Sequence, residues 1–200
     1  DALPIYYKEQ GWKYQQYIAC LDPLGEDRGK TPYALNPEQY GMFLTELFNL
    51  WYEDWKKGEQ PYIRQFENYI GILLGYQPES CEQRGSCGIQ NVVEADGSVY
   101  PCDFYALDEY KLGNFNCNRL EEIDKKRKEI AFVEQSQIVA ENCKNCKFYK
   151  ICKGGCRRNK DFNAMNGEYE NYFCKSYRIF FDICLERMIQ IVEIIKNQKG

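Results

Sequence analysis

Eight cysteines of this chain are spaced so that their thiolates can enclose a metal. Cys87 is followed by nine residues, Gly97, four more residues and Cys102. Cys143, Cys146, Cys152 and Cys156 come next, with gaps of two, five and three residues. Cys81 precedes the series and Cys174 closes it. A C-x-x-C loop turns two sulfurs toward one point, the half-site of many metal centres. Soft thiolate ligands select zinc or iron–sulfur clusters. Spacing alone leaves a non-catalytic, all-cysteine zinc module open. The ligand number favours clusters, because eight grouped cysteines make two sets of four. Glycines beside them let backbone N–H groups reach the sulfurs and tune potential. Cys20, Cys117 and Cys184 remain as ordinary buried or free thiols.

The composition narrows this further. There is no histidine in 200 residues. Mixed cysteine–histidine zinc sites, histidine acid–base catalysis and Ser-His-Asp triads are therefore excluded. Eleven cysteines is an odd count, and close pairs within one loop read as metal binding in a cytosolic protein. The net charge is −4 with basic residues scattered, so nothing suggests a nucleic-acid surface. No secretory signal is visible, and no apolar run approaches the roughly 20 residues of a membrane span. The expectation is a cytoplasmic protein without membrane or nucleic-acid partners. The 17 tyrosines and 11 phenylalanines are read as core and crevice packing. Asp1 opens the chain without a methionine, which suggests a segment of a longer protein.

The elements that must position the cysteines follow from local signals. Tyr14–Cys20 reads as a short strand entering a loop. Asn36-Pro37 is a helix start, with Asn as N-cap and Pro in the first turn. Tyr40, Leu44, Leu47, Trp51 and Trp55 continue at helical spacing, and Gly58 is the stop. Pro61 is expected to open a second helix carrying Ile63, Phe66, Ile70, Leu73 and Leu74 and ending near Gly75. Strand, loop and helix in turn is the grammar of a repeating β/α unit. From Cys81 the texture changes. Residues 89–93 and 98–100 read as a β-hairpin turning at Asp96-Gly97. Residues 120–133 predict one helix with Leu120, Ile123 and Ile130 on one side. Residues 143–156 form a tight loop. Residues 172–196 predict a long amphipathic helix, with Ile179, Ile183, Met188, Val192 and Ile195 on its apolar side.

The series Cys87-x9-Gly97-x4-Cys102, Cys143-x2-Cys146-x5-Cys152-x3-Cys156 and Cys174 resembles the seven-cysteine motif of the SPASM domain. That domain extends radical S-adenosylmethionine (SAM) enzymes that modify peptides and proteins. The extra Cys81, Pro101-Cys102-Asp103-Phe104-Tyr105, Leu112-Gly113-Asn114 and Gly154-Gly155-Cys156-Arg157 resemble the anaerobic sulfatase-maturating enzymes. Residues 14–33 resemble the last part of that family's partial TIM barrel. The resemblance implies an α/β and α+β architecture. Residues 1–80 would be the last β/α units of the barrel. Residues 81–200 would be a SPASM domain with a hairpin, cysteine-rich loops and a long C-terminal helix.

It also implies two auxiliary 4Fe-4S clusters. The first would take Cys81, Cys87, Cys102 and Cys156, and the second Cys143, Cys146, Cys152 and Cys174. Spacing alone would instead group Cys156 with its nearest neighbours. Asp103 directly follows a candidate ligand. A loop aspartate can simply cap backbone N–H groups, but the resemblance implies a general base. Partial burial is expected to raise its pKa and suit it to that role. Leu21 follows a candidate barrel strand and would lie against SAM, although a strand-end core leucine fits the same position. Arg157, Arg158 and Tyr105 are within reach of a peptide or a cluster edge, with a solvated loop face as the plainer expectation.

The family's first motif, C-x3-C-x2-C, is missing from these residues. The expectation is a C-terminal portion, inactive alone, of an enzyme that oxidises a cysteine or serine in an unfolded sulfatase to Cα-formylglycine. The complete protein would add SAM, a third 4Fe-4S cluster and an electron donor such as flavodoxin or ferredoxin. Another SPASM peptide maturase is the nearest alternative.

Overall fold

The computed structural model describes residues 2–198. Asp1, Lys199 and Gly200, the outermost residues of the two expected domains, lie outside the described residues. Helix α1 (Ala2–Glu9) leads to strand β1 (Tyr14–Gln15). Helix α2 (Pro37–Lys57) begins where Asn36 accepts a hydrogen bond from the Gln39 N–H. It stops at Gly58, which adopts the left-handed conformation usual for a residue ending a helix. Strand β2 (Tyr62–Ile63) pairs in parallel with β1, so β1, α2 and β2 make one β/α unit. Helix α3 (Arg64–Leu73) and the single turn α4 (Cys81–Arg84) follow.

Strands β3 (Val92–Val93), β4 (Ser98–Tyr100) and β5 (Gly113–Asn114) form an antiparallel sheet in that order. Helices α5 (Leu120–Glu129) and α6 (Phe132–Ser136) come next, then single turns α7 (Glu141–Lys144) and α8 (Tyr149–Cys152). Strands β6 (Lys160–Asn163) and β7 (Glu168–Asn171) pair antiparallel, Lys160 opposite Asn171. Helix α9 (Cys174–Asn197) closes the chain. Among the described residues no helix is long and apolar enough to cross a membrane.

Several expected elements are corrected. The strand over 14–20 contracts to Tyr14–Gln15, because only Lys13 to Gln15 find partners, in Tyr62 and Ile63. Pro61 does not open a helix, since the next two residues pair with β1 first. The helix over 120–133 breaks where Ala131 turns left-handed at φ 47°. Ile123 is fully buried but Leu120 is half exposed. Ile183 likewise leaves the apolar face of α9 and is half exposed.

The main core lies between α2, α3 and α9. At Gly41 the two long helices nearly touch, since a Cβ there would sit 3.1 Å from the Ser176 backbone. Phe180 is fully buried against Phe48 (5.9 Å) and Phe66 (5.8 Å). Truncating a buried phenylalanine costs about 3–5 kcal/mol, a large share of a typical total of about 5–15 kcal/mol. Phe180→Ala is therefore expected to move the denaturation midpoint sharply down. An unchanged midpoint in urea would remove Phe180 from the core.

Candidate metal centres

The structure sorts the cysteines into two places. Cys143, Cys146, Cys152 and Cys174 line one cavity of about 680 Å³. Cys81, Cys87 and Cys156 meet around a much smaller one, with Ser136 and Arg157. Cys102 belongs with the latter group: burial is the main cause of its raised pKa, and the nearby Cys87 sulfur adds to it. Cys156 thus shares a place with Cys81 and Cys87 and not with Cys152, its neighbour in sequence. Every one of the 11 cysteines is a free thiol.

The local backbone explains the sorting. Lys153, Gly154 and Gly155 are three consecutive residues with positive φ, at 54°, 83° and 72°. That run reverses the chain and sends Cys156 away from Cys152. Gly155 has no substitute here, because a Cβ would lie 2.2 Å from Asn171 Nδ2. Asn171 ties the turn to α9: its Nδ2 donates to the Gly154 carbonyl, and its Oδ1 accepts from the Phe173 N–H.

Burial pushes the Cys152 thiol up to about 12, and the Gly154 N–H bonded to it works against that rise. Burial also pushes Cys102 up to about 12, opposed by the Phe104 N–H and reinforced by the Asp103 carboxylate. Cys156 is raised by burial and opposed by the Arg158 N–H. Three candidate ligands thus each accept an N–H from two residues further on. Such contacts stabilise a thiolate, the form that binds metal. Buried thiols of this kind stay protonated until a metal displaces the proton.

The donor set fits polynuclear clusters. Among the described residues no three thiols or carboxylates converge on a single-ion site. A zinc ion draws its sulfurs to about 2.3 Å, whereas a cluster distributes them over several irons. The second set instead surrounds open space.

A third cavity, of about 540 Å³, brings Leu21 and Asp103 together with Cys81 and Cys156. Leu21 is held by its neighbour. Asp22 is 1 % exposed and accepts from Gly29 N (2.7 Å) and Thr31 N (2.8 Å). Those hydrogen bonds, the Thr31 one foremost, lower its pKa to about 2. Arg158 donates to the Asp22 carbonyl, and Arg28 pairs with Asp161 at 2.7 Å. The loop after β1 is thereby clamped to the cysteine-bearing half.

Two expectations fail here. Asp103 is exposed to the cavity and not partly buried. The short 3-10 turn at 103–105 points Tyr105 inward and leaves Asp103 outward. Its Oδ1 lies 3.1 Å from the Cys102 sulfur. Arg157, Arg158 and Tyr105 are not a solvated loop face. Arg158 and Tyr105 are 6 % and 5 % exposed, and the Arg157 guanidinium sits 4.4 Å from the Phe132 ring centre.

Sequence reasoning passed over two residues. Glu82 lines the Asp103 cavity, accepts from the Tyr177 hydroxyl and has its pKa raised by burial. Lys160 is half-buried beside thiols of both sets. Neither carries a local signal, since each stands in an ordinary charged stretch.

Residues 81–147 match the family model of the SPASM iron–sulfur cluster-binding domain. This segment is similar to a SPASM domain. It contains Cys81, Cys87, Cys102, Cys143 and Cys146 of the array. Over nearly its whole length the chain is also similar to anaerobic sulfatase-maturating enzymes. The cysteine-type enzyme of Clostridium perfringens (strain 13 / Type A) is 44% identical over 191 residues, 96% of this chain and 52% of that protein. The cysteine-type enzyme of Clostridium novyi (strain NT) is 40% identical, covering 98% and 52%. A serine-type enzyme of Bacteroides thetaiotaomicron is 32% identical, covering 88% and 42%. Among solved structures, native anSMEcpe with bound AdoMet and Cp18Cys peptide superposes with a TM-score of 0.87 at 44% identity, covering 96% of this chain and 53% of that one. The chain spans about half the length of the curated relatives it matches. The mixed helix and strand architecture of this chain therefore follows that known fold.

Proposed function

We propose that this chain is the auxiliary-cluster part of a radical SAM enzyme that oxidises a cysteine or serine of a sulfatase to Cα-formylglycine. The observation that carries the reading is the shared cavity of Leu21, Asp103, Cys81 and Cys156. Residues 1–80 would end a partial TIM barrel, and 81–200 would be the extended SPASM domain. Cys81, Cys87, Cys102 and Cys156 would hold one 4Fe-4S cluster, and Cys143, Cys146, Cys152 and Cys174 the other. When bound, SAM with its reduced cluster supplies hydrogen-atom abstraction, and the auxiliary clusters supply an electron sink.

The residues of this chain do the rest. Leu21, held by Asp22 and Arg158, would be the residue to pack against SAM. Asp103 takes up the thiol or hydroxyl proton as the substrate β-carbon is oxidised, a role suited to an exposed carboxylate on the cavity wall. A serine then gives the aldehyde directly, and a cysteine gives a thioaldehyde that water converts to the aldehyde with loss of hydrogen sulfide. An unfolded sulfatase segment enters the cavity, and a small electron-transfer protein supplies the reducing electron. The higher identity to the cysteine-type relatives favours cysteine as the substrate residue.

The test uses the complete holoenzyme with SAM, a reductant and a sulfatase-derived cysteine peptide. The expected product is an aldehyde, trapped with a hydrazine and read by mass spectrometry. Full cluster loading and SAM consumption with the peptide unchanged would sink the reading.

A further inference from the structure

Lys160 stands between the two cysteine sets. Its ammonium donates to the Ser136 carbonyl at 2.8 Å and the Ile138 carbonyl at 3.0 Å. Ser136 lines the small cavity of the first set, and its hydroxyl accepts from the Cys87 N–H. Gly154 lines the cavity of the second set, and a Cβ on it would lie 3.9 Å from Lys160 Cε. One side chain thus touches the walls of both. The pairing of Lys160 with Asn171 holds it there.

Even a half-buried ammonium is held best beside negative charge. Among the described residues no carboxylate pairs with Lys160, and the adjacent Asp161 is occupied by Arg28. The groups whose charge it would feel are sulfurs, those of Cys143 and Cys152 from one set and Cys156 and Cys87 from the other, and they become anionic once a metal displaces their protons. A four-thiolate cluster is anionic and gains a further negative charge on reduction. A fixed cation beside it favours the reduced form.

We propose that Lys160 is the shared counter-ion of both cysteine sets and holds both clusters at a higher reduction potential. The proposal rests on the ligand sets proposed above. It makes Lys160 a positioning charge that links two centres, and it makes their potentials move together.

The test is a potentiometric titration of the holoenzyme followed by electron paramagnetic resonance, for Lys160→Gln, Lys160→Met and Lys160→Arg. Gln keeps a hydrogen-bond donor and loses the charge, Met loses both, and Arg keeps both. In Lys160→Gln and Lys160→Met, both auxiliary clusters are expected to become about tenfold harder to reduce, equivalent to about 59 mV for a one-electron couple. Lys160→Arg is expected to stay near wild type. Neutral variants that lose iron while Lys160→Arg keeps it also support the proposal, because charge then separates them. Wild-type potentials in Lys160→Gln, a shift at one cluster alone, or iron loss from all three overturn it. Iron and sulfide content of the wild type tests the ligand sets separately.

Discussion

In the complete enzyme, Asp103→Asn keeps the iron content of the wild type and lowers aldehyde formation by about 10²–10⁴-fold, the usual contribution of a general base. Asparagine has nearly the shape of aspartate, so the short turn at 103–105 and the burial of Tyr105 survive. Only the capacity to accept a proton is lost. SAM cleavage is expected to continue, uncoupled from product, because the substitution removes a base and no cluster ligand. Quantifying 5′-deoxyadenosine and aldehyde in one reaction separates the two outcomes. Near-normal aldehyde would remove Asp103 from the base role. Loss of iron would make it a structural support of Cys102, whose sulfur lies 3.1 Å away.

Cys156→Ala is expected to remove about four irons per chain, the content of one 4Fe-4S cluster, and to leave the second set loaded. Cys152→Ala is expected to do the reverse. The two residues are four positions apart, so the comparison asks whether neighbours in sequence serve different centres. The reversed backbone at Lys153, Gly154 and Gly155 is the physical basis of the prediction. It carries Cys156 to Cys81 and Cys87 and leaves Cys152 beside Cys174. If both variants strip the same cluster, as judged by iron content and the resonance spectrum that remains, the ligand sets proposed here are wrong.

The helices were legible where local chemistry decides them. Asn36, Pro37 and Gly58 bound α2 as their types demand, and the apolar spacing of its buried face holds. The β3–β4 hairpin was legible for the same reason, since the turn at Asp96-Gly97 is a local structure. The strands β2, β5, β6 and β7 were not. β2 and β5 hold only two residues each, β6 and β7 are mostly polar, and all four exist only because a partner strand lies alongside. The break at Ala131 was hidden as well, because 120–133 satisfies helical spacing throughout. Packing of Phe132 against Tyr105 requires a new direction there that spacing does not encode.

The residues alone determined the kind of chemistry. Eleven cysteines without a histidine leave thiolate as the ligand, and the register of eight of them points to two centres. The tertiary structure decided which cysteines share a place, that Asp103 faces the cavity, and that Lys160 stands between the sets. The reason lies in how far each force acts along the chain. Ligand type and local turns depend on neighbours a few residues apart. Charge, burial and proximity act through space, and here they join Cys81 to Cys156 and Asp22 to Arg158, residues far apart in the chain.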